Sequence, residues 1–368
     1  MLRYLALFLG LLLFMAQAFV PKAVAETLVK SRSNTKLLQV DGRILFRFSQ
    51  SQNEMLDKYH QTIYGDPNSG FVLRKVRVKF HGQLNDGIKY FIHIRADRKS
   101  AVELWDAYIT YTLKQSPIPT EIELGMYKNP ISMSYVKKGV KLWFPERPLA
   151  VNTLAPVWRD TGITVKVKPI KNVTFIASLL NGEGWTNKEK IYNKDGKYLY
   201  VFVVDAKPYV SDAISWRIRA GYECGHDTYS NLIYNKVYSA GGVKRSLIDV
   251  ETQVVLKQYG TVFEGGYLYD SPDAVNNATA NLGKAKGWYI QADYAVPVIK
   301  NLHLVARYSW VDPNDKADDE YDADYTSIGG YYLINGWQAA IRADYVFANE
   351  RHNSIDNNLF CAEFQLLF

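Results

Sequence analysis

Sixteen segments of this chain alternate apolar and polar side chains with period two, the first at 38–50 and the last at 357–368. That period predicts extended strands with one apolar and one polar face. The links between segments alternate in length. Short ones stand at Asn85-Asp86, Lys114 to Pro117, Pro169 to Lys171, Pro208 to Ser211, Tyr259-Gly260, Pro297 to Lys300 and Asn335-Gly336. Long ones occupy 51–70, 129–159, 182–197, 224–247, 271–285, 312–322 and 348–356, and only the tight link from Arg98 to Ser100 breaks the rule. An even strand count with tight turns at one end and long loops at the other is the pattern of a closed barrel in an outer membrane. A large secreted β-sandwich would share the alternation but not the ordered links, and the chain is long for one sandwich.

The faces support this. On 301–311, Leu302, Leu304, Ala306, Tyr308 and Trp310 oppose His303, Arg307 and Ser309. On 212–223, Ile214, Trp216, Ile218, Ala220 and Tyr222 oppose Arg217 and Arg219. The final segment puts Phe360, Ala362, Phe364, Leu366 and Phe368 on one face and ends the chain on an aromatic. Such a face suits lipid, with Tyr and Trp near the strand ends as a headgroup girdle. The 27 Tyr, 16 Phe and 8 Trp accompany a charged fraction of 22%, and beyond the N-terminus no stretch of ~18 apolar residues offers a membrane-spanning helix.

The N-terminus reads as a secretory leader, residues 1–25. A basic start at Arg3, an apolar run from Leu5 to Met15 and small residues at Ala23 and Ala25 lead to cleavage before Glu26. The barrel then occupies 26–368. Losing Arg3 and Lys22 changes the net charge from +7 to +5, a mild excess that suits anions. No zinc spacing, phosphate-cradling Gly loop or basic helix is present, so no metal, cofactor or nucleic-acid partner is expected. Cys224 and Cys361 fit an oxidising compartment without forming a disulfide framework; the sequence leaves their pairing open.

Sixteen strands enclose room for an aqueous channel. Parity places Arg43, Arg47, Lys75, Arg77, Lys79 and Arg95 on the lumen side of the first three strands, and Arg217 and Arg219 elsewhere. The longest link, 129–159, adds Lys137, Lys138, Lys141, Arg147 and Arg159 against one acid, Glu146. Its apolar anchors Leu142, Trp143, Phe144, Leu149 and Leu154 predict a loop folded inward as a constriction. A solvated loop whose lysines bind lipopolysaccharide phosphates is the other reading. Inward acids, including Asp97, Asp106, Glu251, Glu264 and Glu363, are expected to neutralise many of these cations across strands.

Several segments carry a family resemblance: V-E-L-W-D-A-Y-I-T-Y (Val102 to Tyr111), G-M-Y-K-N-P-I-S (Gly125 to Ser132), E-R-P-L-A-V-N-T-L-A-P-V-W-R-D-T-G (Glu146 to Gly162), G-W-Y-I-Q-A-D-Y (Gly287 to Tyr294) and L-V-A-R-Y-S-W-V-D (Leu304 to Asp312). In this order they resemble the phosphate-selective porin O and P family over nearly the whole mature chain. The resemblance implies a sixteen-stranded outer-membrane barrel, usually a homotrimer, that admits small anions. It implies phosphate or polyphosphate as solutes only by analogy with the best-known members. The expectation is a passive, anion-favouring porin of the bacterial outer membrane, in contact with lipid and lipopolysaccharide. A general diffusion porin is the alternative within the class. Outside it stand an adhesin or receptor using Tyr229, Tyr234 and Tyr238 of link 224–247, and a barrel phospholipase. The phospholipase is disfavoured because His352-Asn353-Ser354 is the only His-x-Ser triplet and falls in a loop, away from lipid.

Overall fold

The computed structural model describes residues 29–30, 36–52, 69–97, 102–155, 159–184, 193, 196–227, 234, 240, 242–275, 281–319, 321–352 and 356–368. The expected leader, 1–25, lies outside them, as do Tyr229, Tyr238, Asn353 and Ser354. Sixteen long strands follow one another: β1 Lys36–Ser51, β2 Gly70–Asn85, β3 Ile88–Arg95, β4 Glu103–Thr112, β5 Thr120–Tyr127, β6 Asp160–Ile170, β7 Val173–Leu180 and β8 Leu199–Val210. The second half comprises β9 Ile214–Asp227, β10 Val243–Leu256, β11 Thr261–Asp270, β12 Ala285–Ala295, β13 Leu302–Asp312, β14 Ala323–Trp337, β15 Ala339–Glu350 and β16 Leu359–Leu367. Each pairs antiparallel with the next, and β16 returns to β1 with Leu359 opposite Ser51 and Leu367 opposite Arg43. Two-residue pieces at Val29–Lys30 and Asp273–Ala274 add to β1 and β10.

Closure leaves no open sheet edge, the condition for putting strands in hydrocarbon. The last residue completes it: Phe368 N–H donates to Gly42 O at 3.1 Å, and Gly42 N–H donates back at 2.5 Å. A Cβ at Gly42 would stand 2.2 Å from the Phe368 ring, so only glycine lets that ring lie against β1.

The outer face is the apolar one. Ile290, Ile328, Leu304 and Phe263 are exposed along it. Tyr209, Tyr259 and Tyr294 lie toward the tight turns, and Tyr198, Tyr200, Tyr222 and Tyr267 toward the long loops, forming the two aromatic girdles. Ile290 sits at the middle of β12 and is 58% exposed. Ile290→Arg is expected to destabilise the barrel by about 2–4 kcal/mol, read as a shift of the urea midpoint in reversible unfolding from lipid vesicles.

The alternation fades before the strands end. β9 runs to Asp227 and β10 starts at Val243, so the expected link 224–247 is shorter than read. In these extensions the outward residues include His226, Lys244 and Ser246. The ladder continues above the lipid, where the outer face no longer needs to be apolar. Two bulges also break parity. Leu45 pairs with Lys75 but Phe46 with Leu73, which leaves Arg74 as an extra residue. His93 pairs with Asp106 but Ile94 with Leu104, which leaves Trp105 extra. Bulges re-aim side chains, and both extra residues turn inward.

Inside, the barrel is not hollow throughout. Leu199, Val201 and Val203 of β8, Leu268 of β11 and Tyr289 of β12 are buried in one cluster with Ile131, Tyr135, Leu149, Val151 and Leu154 of the segment between β5 and β6. Both cysteines are free thiols.

Candidate pore constriction

The segment between β5 and β6 enters the lumen. It forms a short helix, α1, Met133–Val136; a 3-10 turn, Gly139–Lys141; and a second helix, α2, Leu149–Leu154. Ser132 caps α1 by accepting from Tyr135 N–H at 3.0 Å, and Pro148 precedes α2, where its missing N–H costs nothing. Buried backbone must find partners, and here the barrel wall supplies many of them. Glu251 of β10 accepts from Ser134 N–H at 3.1 Å and from Met133 N–H. Ser309 of β13 accepts from Ala150 N–H at 3.1 Å. Arg219 donates to Pro130 O and Ile131 O, Arg307 to Glu146 O, Arg342 to Leu142 O, Gln365 to Val140 O and Arg245 to Leu154 O. Wall glycines admit the approach. A Cβ at Gly287 would meet Ala150 Cβ at 2.8 Å, and one at Gly221 would meet Ile131 Cδ1 at 2.8 Å. The anchors foreseen in this stretch, Leu142, Trp143, Phe144, Leu149 and Leu154, are all buried.

The thirteen basic residues expected in the pore separate by partner. Six face carboxylates on the wall. Arg47 reaches Glu363 and Glu146, each at 2.6 Å. Arg77 pairs with Asp97, Arg95 with Glu103 at 2.9 Å, and Arg159 with Asp106 at 2.9 Å. Arg217 and Arg219 share Asp205, at 2.5 and 2.6 Å. Two more act within or beside the loop. Lys137 pairs with Glu264 at 2.7 Å and lies over the Trp143 ring. Arg147 donates to Ser134 O and Lys137 O at 3.1 and 2.7 Å, so it holds the loop's shape rather than presenting charge. The remaining five are Arg43, Lys75, Lys79, Lys138 and Lys141. Among the described residues none of these has a carboxylate within ion-pair distance; Arg43 instead donates to Gly139 O and Gln365 Oε1 at 3.2 and 2.8 Å. Lys138 and Lys141 are exposed on the loop and Lys79 is half-buried on β2.

Two features were not read from the sequence. Arg74 turns inward at its bulge and reaches Glu146 at 3.1 Å. Parity assigned it to lipid, yet an Arg on that face costs about 2–4 kcal/mol at mid-depth, which was the available signal. Trp105 sits buried beneath three guanidiniums, with Arg95, Arg159 and Arg77 centred 3.5, 4.1 and 5.4 Å from its ring.

The lumen is therefore divided. On β9 to β11, acids hold the loop: Glu223 accepts from Asn129 at 2.6 Å, Glu251 caps α1 and Glu264 takes Lys137. The uncompensated cations gather on β1, β2 and the loop turn beside them. Within the loop, burial pushes the Glu146 carboxyl up, but Arg47, Arg74 and Lys75 outweigh it and hold it well below the usual carboxylate range.

The model of the family described as phosphate-selective porin O and P matches residues 50–207. Solved structures share the architecture at low identity. The outer-membrane channel DcaP of Acinetobacter baumannii matches with a TM-score of 0.62 at 12% identity, over 92% of this chain and 99% of that one. OprB of Pseudomonas putida matches at 0.59 and 10%, over 90% and 94%. The trimer form of OmpT, an outer-membrane protein of Vibrio cholerae, matches at 0.58 and 12%, over 90% and 99%. A search of curated protein sequences finds no match.

Proposed function

We propose that this outer-membrane porin, which matches the phosphate-selective porin O and P family across residues 50–207, passes small anions by passive diffusion and favours them over cations. The observation that carries the reading is the asymmetry of unpaired charge. The wall acids nearest the loop are taken up by it, Glu251 by its backbone N–H groups, Glu223 by the Asn129 side chain and Glu264 by Lys137, and Asp249 and Asp344 are buried in the wall, whereas Lys75, Lys79, Lys138 and Lys141 keep no acid partner among the described residues. An anion that sheds part of its water at the constriction is repaid by these groups. No covalent chemistry is needed. Phosphate and polyphosphate are the natural candidates, since unpaired Lys and an Arg with spare donors suit multivalent oxyanions.

The general diffusion reading rests on the six cations already paired with wall carboxylates. The two readings separate in a planar bilayer. A reversal potential across a salt gradient is expected to show anion preference, and added phosphate to reduce the chloride current. A cation-favouring potential would overturn the proposal; anion preference without phosphate block would leave a general anion-leaning porin. The alternatives outside this class find little support. Ser309 Oγ bonds Ala150 N–H and Trp288 O, and His303 bonds Asp293; no hydrogen bond joins this serine to this histidine among the described residues, as a nucleophile and its base require. Tyr234 is buried, donating to Asp270, as a packing residue would. Homotrimeric assembly remains part of the proposal, by analogy with the trimer form of OmpT.

A further inference from the structure

Glu146 is the only acid between 129 and 159, and it lands among cations. Its Oε1 accepts from Arg47 at 2.6 Å and Arg74 at 3.1 Å. Lys75, beside which the β2 bulge sets Arg74 on the same face, is 8% exposed and has no carboxylate in ion-pair reach among the described residues. The Nε donors of Arg43 and Arg74 are buried without acceptors. Buried donors in this state call for a ligand or water. Counting Arg43, Arg47, Arg74, Lys75 and Arg342 against Glu146 and Glu363, the patch holds three more basic side chains than acidic ones.

We propose that the Glu146 carboxylate is a tethered occupant of an oxyanion subsite built by Arg47, Arg74 and Lys75, and that a permeating anion takes the subsite by displacing it. This rests on the anion-pore reading above. The geometry permits the exchange. Arg307 holds the Glu146 carbonyl at 2.9 Å, so displacement would move the side chain and not the backbone, and that side chain keeps 11% of its surface open. A tethered carboxylate competes at the millimolar effective concentrations of a short flexible linkage. Chloride, with one charge and no oxygen atoms to share among three donors, displaces it poorly. A divalent oxyanion offers more charge and more acceptors, so Glu146 makes the subsite discriminate by valence.

The test uses inorganic phosphate as a blocker of chloride current through the full-length channel in planar bilayers. Glu146→Gln removes the competitor, and the half-blocking phosphate concentration is expected to fall about tenfold or more, as loss of a millimolar-range tethered competitor implies. Glu146→Asp keeps the charge but withdraws the carboxylate by one methylene; displacement predicts an intermediate gain, whereas a simple field effect predicts none. Lys75→Gln in the Glu146→Gln background should abolish the gain. An anion-favouring wild type whose block is unchanged or weaker in Glu146→Gln would overturn this proposal and leave the pore reading standing. A cation-favouring wild type would overturn the pore reading, and this proposal with it.

Discussion

Replacing Lys75, Lys79 and Lys138 together by glutamine is expected to lower the anion-to-cation permeability ratio about tenfold, the equivalent of about 1.4 kcal/mol. The magnitude follows from what surrounds them. Arg77, Arg95, Arg159 and Arg217 each face a carboxylate at contact distance, and a compact pair projects little field into the lumen. The three lysines, like Arg43 and Lys141, have no such partner among the described residues, so they supply much of the field that a solute meets. Lys138 and Lys79 also sit where solvent reaches them. Screening then makes a second reading available: with a Debye length of about 10 Å at 0.1 M salt and about 3 Å at 1 M, the difference between wild type and variant should shrink as salt rises. The check is the reversal potential at low and high ionic strength. An unchanged ratio at low salt would mean that the paired arginines, not the lysines, set selectivity.

The strand pattern and the end-to-end order of links were legible because a barrel in lipid imposes period two on one face and tight turns on one side. That constraint is local, and each strand carries it alone. It weakens where the lipid ends, which is why β9 and β10 run past their apolar stretch. The pore charges were legible only in part. Parity brought Lys75, Arg77 and Lys79 inward but could not register the extra residue that turns Arg74 inward beside them. Nor could it tell Arg147, consumed by loop carbonyls, from Lys138, which is exposed. Such distinctions depend on which wall the loop lies against, and that is decided by contacts between residues more than 100 positions apart, such as Met133 with Glu251.

Those contacts make the loop separable from the barrel. Gly287→Val combined with Glu251→Ala is expected to unseat it and raise single-channel conductance several-fold, with weaker ion discrimination. The valine would drive a side chain into Ala150 and Leu154 of α2, where even a Cβ stands 2.8 Å from Ala150 Cβ. The alanine removes the acceptor of two α1 N–H groups and of Tyr289 Oη–H, which donates at 2.6 Å. Each buried donor left alone costs about 1–3 kcal/mol, and together they exceed what a short loop of two brief helices can absorb. The strand ladder carries neither interaction, so the barrel should stay folded, with an unchanged far-ultraviolet circular dichroism spectrum. Trypsin gives the independent readout. Lys137 is part-buried and held by Glu264 in the seated loop; once unseated, cleavage there should appear in intact vesicles. Greater conductance without new cleavage would mean that the aperture widened around a loop still in place, and the acid wall would then not be its anchor.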